Sequence, residues 1–162
     1  MEIRPAVPSD LPALYAIYQS ARAFMWANGN PTQWDPSYPS PALLESDLQK
    51  NALYVCVSEN RTVGAFALLL GEEPTYQVIT EGRWHSDAPY GTIHRVASDG
   101  SVRGIAQACF DFCKQRCDYL RIDTHADNLP MQNAIEKAGF HRCGMVAMED
   151  GSPRIAYDLI PR

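Results

Sequence analysis

The chain has 162 residues, 46% of them hydrophobic, with 14 basic against 19 acidic side chains and a net charge of −5. Such a length is expected to form one domain, 1–162, with a core that needs no staples, and the acidic balance argues against a nucleic-acid or anionic-membrane partner. No apolar run approaches the roughly 20 residues of a membrane span, Met1-Glu2-Ile3 opens no signal-like pattern, and five cysteines without such a signal argue against a disulfide framework; the expected location is the cytoplasm.

The segment EIRPAV reads as a short strand. Ser9 or Asp10 caps a helix with Leu11, Leu14, Ile17 and Tyr18 at helical spacing, running to about Trp26. NGNPTQWDPSYPSP reads as an ordered loop, because Trp34 and Tyr38 need a surface to pack on. Ser40 precedes a second helix through about Lys50, and ALYVCVSE and VGAFALLLGEE form a hairpin around ENRT. The stretch EEPTYQVITEGRWHSDAPY fits either loop or helix. YGTIHRVAS reads as a strand with Ile93, Arg95 and Ala97 on one face and His94, Val96 and Ser98 on the other. After the DGSVRG turn, a helix from Ile105 to about Arg116 carries Ile105, Ala108, Cys109, Phe112 and Cys113 on one side. YLRIDT is a strand, and Asn128 caps a helix bearing Met131, Ala134, Ile135 and Ala138, which Gly139 ends. FHRCGMVAM and PRIAYDLI close the chain as strands. The expected fold is α/β, a mixed sheet of about seven strands flanked by about four helices.

Chemistry concentrates between residues 90 and 140. A helix N-terminus leaves backbone N–H groups unpaired, and a loop without bulky side chains lets a phosphate reach them. Ser101-Val102-Arg103-Gly104-Ile105-Ala106 offers such a loop, with Gly104 and Ala106 where the helix begins. A plain turn would look the same. Neither G-x-G-x-x-G nor G-x-x-x-x-G-K-[ST] occurs, so Rossmann and P-loop readings lack their phosphate loops.

This segment resembles the GNAT superfamily of acyl-CoA N-acyltransferases, whose loop pattern is Q/R-x-x-G-x-G/A. Here it stands as S-V-R-G-I-A, followed by Asn128 in DTHADN and by Gly139-Phe140 in EKAGF. The element order is similar over nearly the whole chain, and the sheet is then expected to be mostly antiparallel. The resemblance implies that main-chain groups near Val96 bind the pantetheine arm of acetyl-CoA. It implies that the amides of Arg103, Gly104, Ile105 and Ala106 take the pyrophosphate, and that Asn128 holds the pantetheine or steadies the splayed strands. It implies a small-molecule or peptide amine as acceptor, and it is compatible with a homodimer; the charge and hydropathy already speak against nucleic acid and membrane, and no metal is expected. Ser101 departs from the family's Gln or Arg, and Ile135 stands where the family often has a tyrosine that protonates the leaving thiolate.

Acyl transfer from a thioester needs a neutral amine, and freeing the lone pair of an alkyl amine at pH 7 costs roughly 4 to 5 kcal/mol. His94, on the strand leading into the loop, and His125, three residues before Asn128, are the expected bases. Glu73, with Glu72 beside it, is the expected carboxylate for holding the amine or relaying its proton, and Tyr90 and Tyr157 are spare acids. Trp34, Tyr76, Trp84 and Tyr90, with Trp26 and Tyr38 nearby, are expected to wall the acceptor site, where a cation rests on a ring face; the same aromatics would serve equally to cover the core. No acidic cluster pointing to a polyamine is visible along the chain. Cys109, Cys113 and Cys117 recur every four residues, and a metal site completed by Cys143 with His141 or His125 is the sharper reading of them. Buried apolar packing is the plainer one. Two alternatives to the enzyme stay open: an acyl-CoA-binding sensor of the same fold, and a metal or redox protein.

Overall fold

The structure is a computed structural model describing residues 1–160; the last two residues of the expected 1–162 domain lie outside the described residues. The strands are β1 (Glu2–Pro5), β2 (Leu53–Ser58), β3 (Arg61–Leu70), β4 (Gly91–Ser98), β5 (Leu120–Thr124), β6 (His141–Ala147) and β7 (Pro153–Leu159). The helices are α1 (Leu11–Ala27), α2 (Pro41–Gln49), α3 (Ile105–Arg116) and α4 (Leu129–Lys137). One sheet holds all seven strands in the order β1-β2-β3-β4-β5-β7-β6. Every pairing is antiparallel except β4 with β5. This is the mixed, mostly antiparallel sheet with four helices that the sequence led us to expect.

Local chemistry explains the helix boundaries. Ser40 Oγ accepts from Leu43 N at 3.1 Å, and Asn128 Oδ1 accepts from Met131 N at 3.2 Å, so both polar caps satisfy otherwise orphaned amides. The Asp10 carboxylate accepts from Val7 N at 2.8 Å and is clamped by Arg4 ahead of α1. α3 has no side-chain cap, and its N-cap is Gly104 in a left-handed conformation, φ +79°. The stretch after β3 is a loop with one short turn, Pro74–Tyr76, pinned to β6 through the Thr80–Met145 bridge.

Two cores lie on opposite faces of the sheet. Phe66, Ile93, Phe110, Ile122 and Ile135 pack beneath α3 and α4. Leu14, Ile17, Tyr18, Leu44, Val55 and Ala97 pack beneath α1 and α2. Each large apolar side chain so buried contributes about 1.5 to 3 kcal/mol. On α3 the buried residues are Ile105, Cys109, Phe110 and Cys113, with Phe112 partly buried against the same core; Phe110 is the core residue that the periodicity did not name.

One sequence expectation fails in an informative way. Ile93 and Ala97 do not share a face, because Ile93 belongs to the α3–α4 core and Ala97 to the α1–α2 core. The cause is a bulge in β4. Ala65 pairs with Ala97 and Ala67 with His94, so two steps along β3 face three along β4. The extra residue lies beside Arg95, whose φ is +56°. A second irregularity follows. β4 and β5 are paired only at Gly91–Leu120 and Thr92–Arg121, whereas β5 stays paired with β7 along its whole length. Beyond Thr92 the two parallel strands part, leaving a V open toward Val96 and Thr124. Gly91 sits at its closed end, where an added Cβ would lie 2.7 Å from Cys117 Sγ.

Candidate active site

The open V holds two cavities. One, of about 480 Å³, is lined by Trp34, Glu73, His94, Val96, Asp123 and Thr124 among others. The second, of about 320 Å³, runs past Val96, Gly100, Ile105 and Ala106 toward the start of α3. Val96 and Asn128 line both, as do Met25 and Met131, so the cavities share a wall at the splay.

The first cavity contains an acid–imidazole pair. His94 Nε2 lies 3.2 Å from Glu73 Oε1, both side chains being mostly buried. The His94 N–H holds the Glu73 carboxyl below the usual carboxylate range against the opposing effect of burial. Glu73 is fixed from behind, since its backbone N–H donates to Tyr90 Oη at 2.8 Å. Opposite, Asp123 Oδ2 accepts from Tyr76 Oη at 2.6 Å.

The bulge is braced by buried charge. Arg95 donates from Nε and Nη2 to the two Asp47 carboxylate oxygens, each at 2.9 Å, and from Nη1 to Tyr38 Oη at 3.1 Å. The Arg95 carbonyl accepts from Tyr18 Oη at 2.7 Å. Side chains from α1, α2 and their connecting loop thus hold the left-handed residue that separates β4 from β5.

The second cavity ends at the loop before α3. The Asp99 carboxylate accepts from Ser101 N at 2.8 Å and from the Ser101 hydroxyl, which shapes the turn from within. A Cβ added at Gly104 would meet nothing within 4 Å, so the start of α3 is open on that side. Arg103 is exposed beside them. An anion bound here would complement the helix dipole.

Asn128 is committed twice. Beyond capping α4, its Nδ2 donates to Gln33 Oε1 at 3.0 Å, which ties α4 to the α1–α2 loop. Asn128 also lies in the lining that the two cavities share. His125 lies outside the lining of both cavities. Its Nδ1 accepts from Asp127 N at 3.0 Å and its Nε2 lies 3.1 Å from Thr32 Oγ1, so both ring nitrogens are engaged. Burial, with Arg154 nearby, lowers its pKa.

Of the expected wall aromatics, Trp34 lines the first cavity, and so does Tyr38. Tyr76, Trp84 and Tyr90 stand behind the lining. Trp84 Nε1 donates to the Tyr76 carbonyl at 2.9 Å, and Trp84 and Tyr90 flank the Arg121 guanidinium at 4.1 and 4.0 Å. A cation does rest on these rings, but it is the protein's own. Trp26 is largely exposed, and Tyr157 is buried in the α3–α4 core rather than in a cavity. Ile135 is also fully buried in that core. Met131 is the α4 side chain that reaches both cavities.

The cysteines do not assemble as the repeat suggested. Cys109 and Cys113 are core residues, and Cys117 follows the end of α3. Cys143 Sγ lies 3.3 Å from Nδ1 of His85, a residue the sequence reading did not consider, and Asp158 joins them within 4.8 Å. This is the group of potential metal ligands found among the described residues. Its carboxylate is already occupied by His85 N, His85 Nδ1 and Tyr119 Oη at 2.7 to 2.9 Å.

Sequence reasoning missed Asp123, Thr124, Gln33, Asp47 and Arg154. The available signal was that Asp123 and Thr124 end the strand facing the loop; the other three lie far away in sequence.

A sheet split between two parallel strands, with a glycine-led helix at the mouth of the split, defines an acyltransferase of the GNAT type. A family model describing an acetyltransferase (GNAT) domain matches residues 1–141. The chain belongs to this family and is an N-acetyltransferase. A GNAT-family acetyltransferase from Streptococcus agalactiae is similar in structure, at 29% identity and TM-score 0.91, covering 99% of this chain and 95% of that one. The ribosomal-protein-alanine N-acetyltransferase of Brucella melitensis shares the fold at 21% identity and TM-score 0.62, with 99% of each chain covered. A GNAT-family acetyltransferase from Listeria monocytogenes does so at 15% identity and TM-score 0.71, covering 98% of this chain and 93% of that one. A search of curated proteins found no match. No helix among the described residues is long and apolar enough to cross a membrane.

Proposed function

We propose that the chain acts as one N-acetyltransferase domain that moves an acetyl group from acetyl-CoA to a primary amine by direct attack at the strand splay. The observation that carries this reading is the meeting of the two cavities at Val96 and Asn128. One offers the open start of α3 and an apolar channel for the donor, and the other a basic pair for the acceptor. Acetyl-CoA would supply an activated thioester, with its pyrophosphate on the amides of Arg103 to Ala106 and its pantetheine along β4 at Val96.

The chain's own groups do the rest. Glu73 and His94 accept the ammonium proton, directly or through water, which frees the amine lone pair. The nitrogen then attacks the thioester carbon. Beyond Ile93 the edge of β4 that faces β5 has no partner strand, which leaves backbone N–H groups there to stabilise the developing oxyanion. The C–S bond breaks and the electron pair leaves on sulfur. With the first proton released to solvent, the pair takes the extra proton from nitrogen and passes it to the thiolate or solvent. No tyrosine is required, because a CoA thiolate is a tolerable leaving group.

Calorimetric titration with acetyl-CoA tests the donor half. We expect saturable binding that Gly104→Asp, which places a carboxylate at the proposed pyrophosphate, abolishes. Absence of binding at millimolar acetyl-CoA would remove the proposal.

A further inference from the structure

The first cavity is more acidic than the sequence suggests. Asp35, Glu73, Asp123, Glu149 and Asp150 all line it, although they come from four separate stretches of chain. Two guanidinium groups face them, and one is already spent. Arg95 is neutralised by Asp47, 2.7 Å away. Arg154 is held by the Gln33 and Pro153 carbonyls, at 3.0 Å each, and lies close enough to Asp123 and Asp150 to offset part of their charge, which leaves Asp35, Glu73 and Glu149 in excess. A half-enclosed cleft with an excess of one charge focuses its field on what enters.

A second observation points the same way. Thr124 is fully buried, its hydroxyl has no hydrogen-bond partner, and it belongs to the lining of this cavity beside Asp123. A buried hydroxyl left unpaired is costly, and an entering N–H donor would satisfy it. Asp123 likewise has Oδ2 engaged by Tyr76 and its other oxygen available.

We propose that the acceptor is a small aliphatic diamine, in which one amine reacts at His94 and Glu73 while a second cationic group is held toward Asp123, Thr124 and the turn bearing Glu149. The inference rests on the transfer reading above. An uncharged distal end leaves the carboxylates unpaired, and a distal carboxylate is repelled. The cavity, at about 480 Å³, must also admit the acetyl end of the donor, which favours a small molecule over a folded chain.

The test compares diaminobutane, butylamine and aminobutanoate by thiol release from acetyl-CoA, at low and high salt. The diamine is expected to show a KM roughly tenfold below that of butylamine, from two modest ion contacts. Aminobutanoate should be the poorest, and high salt should shrink the difference. Glu149→Gln, on an exposed turn, and Asp123→Asn should each narrow the diamine-to-butylamine ratio severalfold. A variant that merely loosens the fold would move both substrates together. Equal KM values for diamine and butylamine, an unchanged ratio in both variants, or turnover confined to peptide amines would overturn the diamine assignment while leaving transfer intact. Acetyl-CoA binding with no thiol release for any amine would instead overturn the transfer reading, and the acceptor with it.

Discussion

Asp47→Ala removes the counter-ion of a guanidinium that the fold cannot expose. The side chains of Arg95 and Asp47 are 7% and 2% exposed, and two charge-assisted hydrogen bonds join them. Removing one partner of such a pair costs about 3 to 5 kcal/mol, because the other charge stays buried without compensation. For a chain of this size that corresponds to a fall in Tm of about 6 to 20 °C. The loss falls where it matters for function, since Arg95 is the left-handed residue of the bulge that separates β4 from β5. Thermal unfolding by circular dichroism gives the stability change, and calorimetry on the surviving folded protein gives acetyl-CoA affinity. We expect both to fall, with Arg95→Met less damaging to stability than Asp47→Ala because it removes the buried charge itself. A Tm within 2 °C of the parent in Asp47→Ala would refute the idea that this pair braces the splay.

Two further outcomes follow from the same geometry. Gly104→Ala puts a Cβ on a residue at φ +79°, a strain of about 1 to 2 kcal/mol, so Tm should drop by a few degrees and acetyl-CoA affinity with it; unchanged values for both would mean that α3 starts differently. His125 is held with a lowered pKa, so the folded state resists a proton that the unfolded chain takes up below about pH 6.5. Its penalty is absent at neutral pH and grows as pH falls, so Tm measured from pH 7 to pH 5.5 should decline less steeply in His125→Asn than in the parent. Parallel declines would remove His125 from the account.

The parts of the fold governed by local rules were legible in the sequence. Ser40 and Asn128 announced their helices by cap chemistry, Gly139 announced an end, and period-two apolar runs announced strands. The β4 bulge was not legible, because Arg95 at φ +56° obeys Asp47, Tyr38 and Tyr18, which no window around residue 95 contains. Alternation therefore put Ile93 and Ala97 on one face, and tertiary bracing put them on two. The site divides the same way. His94 and Glu73 were legible as strand-end chemistry near the loop, and the structure brings them together. The acidic lining was invisible, because Asp35, Asp123 and Glu149 meet only once the sheet has formed. His125 looked equivalent to His94 by distance along the chain, yet Thr32 and Asp127 claim its two nitrogens. Aromatic content predicted a wall, but Trp84 and Tyr90 clasp Arg121 instead of lining the cavity.

The central claim is chemical transfer to an amine at the His94–Glu73 pair. Amine-dependent thiol release from acetyl-CoA, measured for the parent and for His94→Ala, tests it most directly. The account predicts turnover in the parent and a loss of roughly 10²-fold or more in kcat for the variant, at the scale of a missing general base, with acetyl-CoA affinity retained. Equal turnover in the two proteins, or binding without amine-dependent release in the parent, would contradict it.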